Sequence, residues 1–350
     1  SSTNYLLYIY LYTMRKFIFF LLIITTFIAC KQEPKVYEAT ISFETMGTFG
    51  TVKLKSDTLI NSNQLANDID ALLLDVNMGV STYIDSSIIS HANASGYWVE
   101  DGNSLPRKYF EENLLTSFDI MESTNGAFNV FVKPLVDYWG FGDFELRSLA
   151  KKDSVAVDSI LQCIANKDVL IKDTTGCLQL DFSAIAKGYG VDQVAYLIDS
   201  LGFHDYMVEI GGEVRCKGTN RDNLVWRLGI EEPDEEARSI YEVVKLDNKS
   251  MATSGNYRNF KILDNGQKVV HIINPKTGYP EISNLLSASV IADDCMTADA
   301  YATACMVMGK DTCYQFLLAH PEIEGYLIYS DAVGQLQNIA TPGFVERLVD

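Results

Sequence analysis

The stretch LDFSAIAKGYGVD, residues 180–192, sets the fold class, because a strand leads directly into a helix here. The alternating segment 177–182 predicts the strand, and the following residues predict a helix that continues to Ser200. The corner between them carries an acid and a base. Asp181 can accept hydrogen bonds from a polar ring or sugar, and Lys187 is a mobile cation suited to phosphate. A lysine in the first turns of a helix is otherwise usually solvated, so both interpretations of Lys187 stay open.

Strands and helices are interspersed along the rest of the chain without the regular alternation of βαβ units. Alternation predicts further strands at 40–55, 206–217, 224–230, 242–246, 249–253, 267–273 and 287–292. Helical periodicity predicts helices at 65–78, 105–124, 153–164, 190–200, 297–308 and 311–320. This order favours an α+β fold with a largely antiparallel sheet core and flanking helices. A chain of 350 residues, 47% of them hydrophobic, can bury a sizeable core.

Charge and cysteine content limit the partners. The formal net charge of −18 argues against nucleic acid, which requires clustered lysine and arginine. Six cysteines after residue 30 show no C-x-x-C pair and no spacing typical of zinc; they are Cys163, Cys177, Cys216, Cys295, Cys305 and Cys313. We expect most of them to be small buried side chains, and the sequence leaves any disulfide pairing open.

The N-terminus resembles a lipoprotein leader. Met14, Arg15 and Lys16 precede a short apolar run at 17–24, and FIAC at 27–30 resembles a lipobox that places Cys30 at the cleavage point. We therefore expect upstream residues and a signal peptide at 1–29, a lipidated polar tether at 30–40 and the functional domain at 41–350. An uncleaved N-terminal anchor helix is the alternative. Either form places the domain outside the cytoplasm, on the periplasmic side of a bacterial membrane.

His271 begins the segment HIINPKTGYP, residues 271–280, which predicts a short β-branched strand stopped by an Asn-Pro turn. A strand end holds an imidazole rigidly, and a rigid histidine can transfer a proton near neutral pH. The alternative is a half-buried, hydrogen-bonded histidine in an ordinary turn.

The alanine-rich segment TADAYATA, residues 297–304, should be helical, so that Asp299 and Thr303 share one face. A carboxylate and a hydroxyl one turn apart suit a hard cation such as Mg²⁺. The alternative is structural: Thr303 would bond the carbonyl four residues earlier, and Asp299 would stabilise the helix dipole.

Taken together, the three segments resemble the FAD:protein FMN transferases, the ApbE family, from about Phe43 to near the C-terminus. Further matching blocks, in order, are ETMGT (44–48), STY (81–83), GAFN (126–129), PL (134–135) with WGFG (139–142), EIGGE (209–213) and ATSGNYR (252–258). The resemblance implies a T-fold-like, two-lobed single domain that binds FAD between its lobes.

The resemblance also implies roles for individual residues. His271 would be the general base. Contacts to FAD would come from Met46, Tyr83, Ala127, Phe128, Asn129, Asp181, Lys187, Thr253, Ser254 and Ile273. Mg²⁺, with Mn²⁺ as a substitute, would be held by Ala184, Asp299, Ala302 and Thr303. The sequence departs from the family pattern at Asn129, where aspartate is common, and at residues 130–131, where Pro-Thr often follows.

The activity implied is Mg²⁺-dependent transfer of FMN from FAD to a serine or threonine hydroxyl of another protein, with release of AMP. Acceptors would be extracytoplasmic subunits of membrane redox complexes. One alternative is an FAD pyrophosphatase, in which water replaces the acceptor hydroxyl. The other is a flavin-binding lipoprotein without catalysis. A binding protein needs neither a general base nor a metal pair, so the presence of His271, Asp299 and Thr303 counts against this alternative.

Overall fold

The computed structural model describes residues 5–16, 35–96, 102–142, 154–164, 178–233, 239–256, 260–262, 268–281 and 283–349. The chain divides into two compact units, Ser1–Val36 and Tyr37–Asp350. Helix α1, residues 5–16, belongs to the first unit. Of the helices in the described ranges, none combines the length and apolar character needed to cross a bilayer.

The predicted apolar run at 17–24 and Cys30 lie outside the described residues. One part of the tether prediction is wrong, because strand β1 (Tyr37–Thr45) begins before residue 41. Residues 37–40 alternate in exposure and pair with β2 (Thr48–Ser56), so that Tyr37 lies opposite Ser56. They belong to the sheet and not to a linker.

An antiparallel sheet of eight strands forms the centre of the second unit, as predicted. The strands pair in the order β1, β2, β3 (Asp205–Ile210), β4 (Glu213–Lys217), β7 (Ser250–Gly255), β10 (Leu285–Ala292), β11 (Glu324–Ser330) and β12 (Leu336–Ala340). Two small two-stranded sheets accompany it: β5 (Trp226–Glu231) with β6 (Ile240–Leu246), and β8 (Phe260–Ile262) with β9 (Lys268–Val270).

The helices of this unit are α2 (Ser62–Val80), α3 (Ile88–Ser95), α4 (Leu105–Ser123), α5 (Lys133–Tyr138), α6 (Ser154–Ile164), α7 (Ala186–Ser200), α8 (Cys295–Met308), α9 (Lys310–Ala319) and α10 (Pro342–Val345). A 3₁₀ turn spans Val130–Val132. The six predicted helices are confirmed within a few residues. Helices α2, α3, α4 and α8 begin where a side chain accepts a first-turn backbone N–H, at Asn61, Ser87, Ser104 and Asp294 respectively. The short helices α3, α5 and α10 show too few periodic positions to be predicted.

One strand prediction is wrong and another is too long, and both concern the site. Residues 178–182 pair with no strand of the described chain; the Leu180 amide donates to the Asn93 side chain at 2.6 Å, and the Asp181 amide to the Val130 carbonyl at 2.8 Å. The Asn93 side chain and the Val130 carbonyl thus accept the hydrogen bonds that a neighbouring strand would otherwise accept. Strand β9 ends at Val270, so His271 follows the strand, and Ile273 forms an isolated bridge to Pro280.

Helix α8 lies in the centre of the core and is buried on nearly every side. Ala298, Ala300, Ala302 and Ala304 are fully buried, and their small side chains allow close contact with β7, β10 and α7. Of the described cysteines, Cys216, Cys295, Cys305 and Cys313 are buried thiols, as predicted, and Cys163 is disulfide-bonded.

Candidate functional site

A cleft of about 1260 Å³ gathers most of the residues singled out from the sequence. Its lining includes His271, Met46, Tyr83, Ala127, Phe128, Asn129, Asp181, Lys187, Thr253, Ser254, Ile273, Ala184, Asp299 and Thr303. These residues come from segments that are far apart in sequence. The volume and the mixture of apolar walls with convergent polar groups are typical of a site for a large organic ligand.

Ala302 is the exception among the predicted ligands that the structure describes. Its side chain is fully buried within α8 and does not line the cleft. Neighbouring helix positions point in different directions, so the cleft-facing side chains of Asp299 and Thr303 turn Ala302 toward the core. The predicted metal contact concerns the backbone carbonyl of Ala302, which side-chain burial does not test, so it stays a prediction.

The turn between β1 and β2 forms one lip of the cleft. Met46 and Gly47 both have positive φ, 50° and 69°, as a two-residue hairpin with Thr45 opposite Thr48 requires. Glycine adopts such a conformation without strain, whereas methionine does so at a cost. The Met46 methyl group lies close to Gly190 of α7, which fixes the turn against the helix that carries Lys187.

Asp181 stands at the corner between the extended segment 178–182 and α7. Its amide is held by the Val130 carbonyl, and its carboxylate accepts the Ser183 amide at 2.8 Å. One carboxylate oxygen is thus used to shape the corner, and the side chain still faces the cleft. The corner position predicted from the sequence is correct, although a loop carries it in place of a strand.

Lys187 forms a charged cluster with two buried carboxylates. Its ammonium lies 3.0 Å from Glu213 Oε1 and 3.7 Å from Asp299 Oδ1. Burial lowers the pKa of Lys187, but Asp299 and Glu213 outweigh that effect and hold it above its ordinary value. Its contacts with two buried carboxylates distinguish Lys187 from an ordinary solvated lysine.

Glu213 lines the cleft, although the sequence analysis assigned it no role of its own within the block 209–213. It is 4% exposed, and burial raises its pKa, an effect that Lys187 opposes and Asp299 reinforces. Its second oxygen, Oε2, has no hydrogen-bond partner among the described residues. The available signal was the Gly211-Gly212 turn, which makes Glu213 the first residue of β4 and brings it to the cleft.

Asp299 is only 2% exposed, yet it lines the cleft. It lies where α7 and α8 approach each other closely. Its Oδ2 accepts the Gly188 amide at 3.0 Å, and a Cβ at residue 188 would lie 2.8 Å from Asp299 Cβ. Glycine is therefore required where α7 meets α8. Oδ1 is the oxygen left to face Lys187 and the cleft.

The alternative role of Asp299 as a partner of the helix dipole is unnecessary here. Asp294 caps the start of α8, and the Asp192 carboxylate accepts the amides of Cys295 and Met296 at 2.9 Å. Two carboxylates already serve the N-terminus of α8, so Asp299 in the next turn is available for another partner.

The donors around Asp299 and Thr303 are chemically suited to a hard cation. Thr303 Oγ1 lies 3.1 Å from Ser254 Oγ, so its hydroxyl points to the cleft and not back along its own helix. Ala184 lines the same cleft. No three His, Cys, Asp or Glu side chains of the described ranges converge on one point, so a cation here would rely on mixed oxygen donors.

His271 is the first residue of the loop that follows β9, and it lines the cleft. Its ring packs against Phe141, with centroids 6.4 Å apart and planes at 66°. Two hydrogen bonds fix the turn that follows His271. The Asn274 carbonyl accepts the Gly278 amide at 2.8 Å, and the Trp139 indole N–H donates to the Gly278 carbonyl at 2.8 Å. A rigid turn thus replaces the strand end that the sequence predicted, with the same consequence for the imidazole.

The remaining wall carries aromatic and amide groups. Tyr83 is 76% exposed at the cleft, which leaves its ring accessible for stacking on a flat heterocycle. Phe128 lines the cleft and is buried in the core, so it supports the wall. Asn129 uses its side-chain oxygen to accept the Phe131 amide at 2.8 Å, which leaves its NH₂ group as a donor.

The sequence of this chain also matches a known protein family. The model of the ApbE family matches residues 46–327, a range that contains every cleft residue discussed above. This chain belongs to the ApbE family. The resemblance noted in the sequence and the predicted antiparallel α+β fold are both confirmed.

Relatives of this ApbE-family chain include two proteins called FAD:protein FMN transferase. The Vibrio cholerae protein is 37% identical over 288 residues, which cover 80% of this chain and 84% of the relative. The Haemophilus influenzae protein is 36% identical over 294 residues, which cover 81% and 84%. The solved structure of the flavin transferase ApbE from Vibrio cholerae superposes with a TM-score of 0.79 at 32% identity, over 90% of this chain and 100% of that one.

Proposed function

We propose that this chain transfers FMN from FAD to a serine or threonine hydroxyl of an acceptor protein, with the help of Mg²⁺. The observation that carries the proposal is the convergence of His271, Lys187 and Asp299 on one cleft. A base, a permanent cation and an oxygen site for a metal are the parts that phosphoryl transfer requires. The relatives called FAD:protein FMN transferase support the choice of substrate.

The reaction breaks one phosphorus–oxygen bond and forms another. The acceptor hydroxyl oxygen attacks the phosphorus of the FMN half while the bond from that phosphorus to the bridging oxygen breaks, and AMP leaves with the bridging oxygen. His271 accepts the hydroxyl proton and later returns it to solvent. Its fixed ring, packed on Phe141, supplies the orientation that proton transfer needs.

The positive charge that the pyrophosphate needs would come from Lys187 and from the cation held by the oxygen ligands. Lys187 would hold the pyrophosphate as a cation that does not titrate in the working range. Asp299, Thr303 and the Ala184 carbonyl would hold Mg²⁺, or Mn²⁺ in its place. When bound, the metal neutralises the charge of the transferring phosphate. Tyr83 and Met46 would contact the ring systems of FAD. Thr253 and Ser254 offer hydroxyls and amides suited to its pyrophosphate, and Ile273 would also contact FAD.

We also propose that the protein acts outside the cytoplasm, attached by lipid at Cys30 to a bacterial membrane on the periplasmic side. The lipobox-like FIAC sequence supports this location. The acceptors would then be extracytoplasmic subunits of membrane redox complexes.

Incubation of the protein with FAD, Mg²⁺ and such a redox subunit is expected to add one FMN to a serine or threonine of the subunit. The added mass is located by mass spectrometry of its peptides, and AMP is quantified in parallel. Equal amounts of AMP and attached FMN would support transfer. Free FMN as the sole flavin product would favour a pyrophosphatase, and FAD that is bound and recovered intact would favour a binding protein.

Replacement of Cys30 by serine is expected to move the protein from the membrane fraction to the soluble fraction, or to leave an unprocessed precursor. The thiol is the atom that would carry the lipid, and serine offers no equivalent. Fractionation and the mass of the N-terminal peptide measure the change. A wild-type N-terminal peptide without acyl mass, together with unchanged fractionation of the variant, would identify the apolar run at 17–24 as a retained anchor.

A further inference from the structure

We propose that Glu213 is a positioning residue that holds the Lys187 ammonium away from Asp299 and so keeps Asp299 available for the divalent cation. The inference rests on the proposed metal site and assigns it a residue that belongs neither to its ligands nor to the reacting groups. It follows from three distances and the burial of two carboxylates.

The ammonium is shared unequally. It donates to Glu213 Oε1 at 3.0 Å and lies 3.7 Å from Asp299 Oδ1, so its hydrogen bond goes to Glu213 while its charge still acts on Asp299. Oδ1 is the oxygen left for a cation, because Oδ2 is occupied by the Gly188 amide. If Glu213 were absent, the nearest buried carboxylate for the ammonium would be Asp299, and lysine would compete with the metal for the same oxygen.

The backbone fixes Glu213 in this position. It pairs with Ile210 across the Gly211-Gly212 turn, where both glycines have positive φ, 62° and 104°. Lys187 is the more exposed partner: its side chain is 30% exposed against 5% for that of Glu213. The Glu213 carboxylate, fixed by the hairpin, therefore determines the position of the Lys187 ammonium.

The orphan oxygen of Glu213 is consistent with the same role. Oε2 is buried without a hydrogen-bond partner among the described residues, which is costly for a carboxylate. A buried acid with one unused oxygen is poorly explained by stability alone, because an apolar side chain of similar size would fill the position without that cost. A requirement to hold Lys187 accounts for its presence.

The test measures Mn²⁺ binding to the flavin-free protein by electron paramagnetic resonance, which needs no catalytic turnover. Glu213→Leu removes the acceptor for Lys187 and is expected to raise the Kd for Mn²⁺ about tenfold. Glu213→Gln keeps a neutral acceptor and should recover part of the loss. Removing the competing ammonium should reverse the defect, so the double variant Lys187→Met with Glu213→Leu is expected to bind Mn²⁺ as well as Lys187→Met alone.

Glu209→Gln is the matched control, because it removes one charge from the preceding strand of the same hairpin while keeping an acceptor for the Gly212 amide. It should bind Mn²⁺ like the wild type. Thermal unfolding of each variant checks that the fold is retained.

Two outcomes would overturn the inference while leaving the proposed metal site in place. Wild-type Mn²⁺ affinity in a folded Glu213→Leu variant would show that the acid does not act on the site, and an equal defect in the double variant would show that Lys187 is not the competitor. A wild-type protein that binds no Mn²⁺ would instead remove the proposed metal site, and the role of Glu213 with it.

Discussion

Replacement of His271 by alanine is expected to leave FAD affinity near the wild-type value and to lower FMN transfer by about 10²- to 10⁴-fold, the usual contribution of a general base. Binding should survive because the imidazole is one group in a lining shared by many segments. Transfer should fail because the acceptor hydroxyl loses the group that takes its proton. The variant should therefore retain FAD binding and lose FMN transfer.

Flavin fluorescence titration measures the first quantity, and AMP release together with flavin attached to an acceptor measures the second. His91→Ala, on the exposed face of α3, is the matched control and should change neither. Near-normal attachment of flavin by the His271 variant would refute its assignment as the base. A loss of FAD binding equal to the loss of transfer would assign it to recognition instead.

Replacement of Asp299 by asparagine is expected to weaken Mn²⁺ binding strongly and to lower FMN transfer by at least about 10²-fold, because a metal contributes several kcal/mol to charge stabilisation. Asparagine is preferable to alanine. Its amide oxygen can still accept the buried Gly188 amide, whereas alanine would leave that donor unsatisfied at a cost of about 1–3 kcal/mol.

Activity as a function of Mg²⁺ concentration, with EDTA as the zero point, distinguishes loss of the metal from loss of the fold. Asp293→Asn, an exposed residue two positions before α8, provides the control and should behave like the wild type. If the Asp299 variant turned over fully in EDTA, the metal would have no place in the mechanism.

The sequence predicted the parts of the site that depend on local geometry. Asp299 and Thr303 are one helical turn apart, so their common direction follows from helix periodicity once α8 is recognised. The carbonyl ligand at Ala302 was implied by the family resemblance and not by this periodicity, because the direction of side chains does not specify a contact through a backbone carbonyl.

The ion pairs of Lys187 with Glu213 and Asp299 could not be predicted from helix periodicity. Lys187 and Glu213 meet only because α7 packs beside the β3–β4 hairpin, and sequence spacing carries no trace of that contact. The strand predicted at 178–182 failed for a related reason: alternation is a property of extended chain, and only the neighbours, here Asn93 and Val130, determine whether a ladder forms.

The pairing of β2 with β3 has a consequence for folding. These strands are neighbours in the sheet, yet residues 57–204 lie between them in sequence. Until β3 has been synthesised, the β1–β2 hairpin exposes an unpaired edge, and contacts of such long separation form slowly. The cleft also requires α8, so we expect any chain truncated before residue 303 to lack the cleft and to be prone to aggregation.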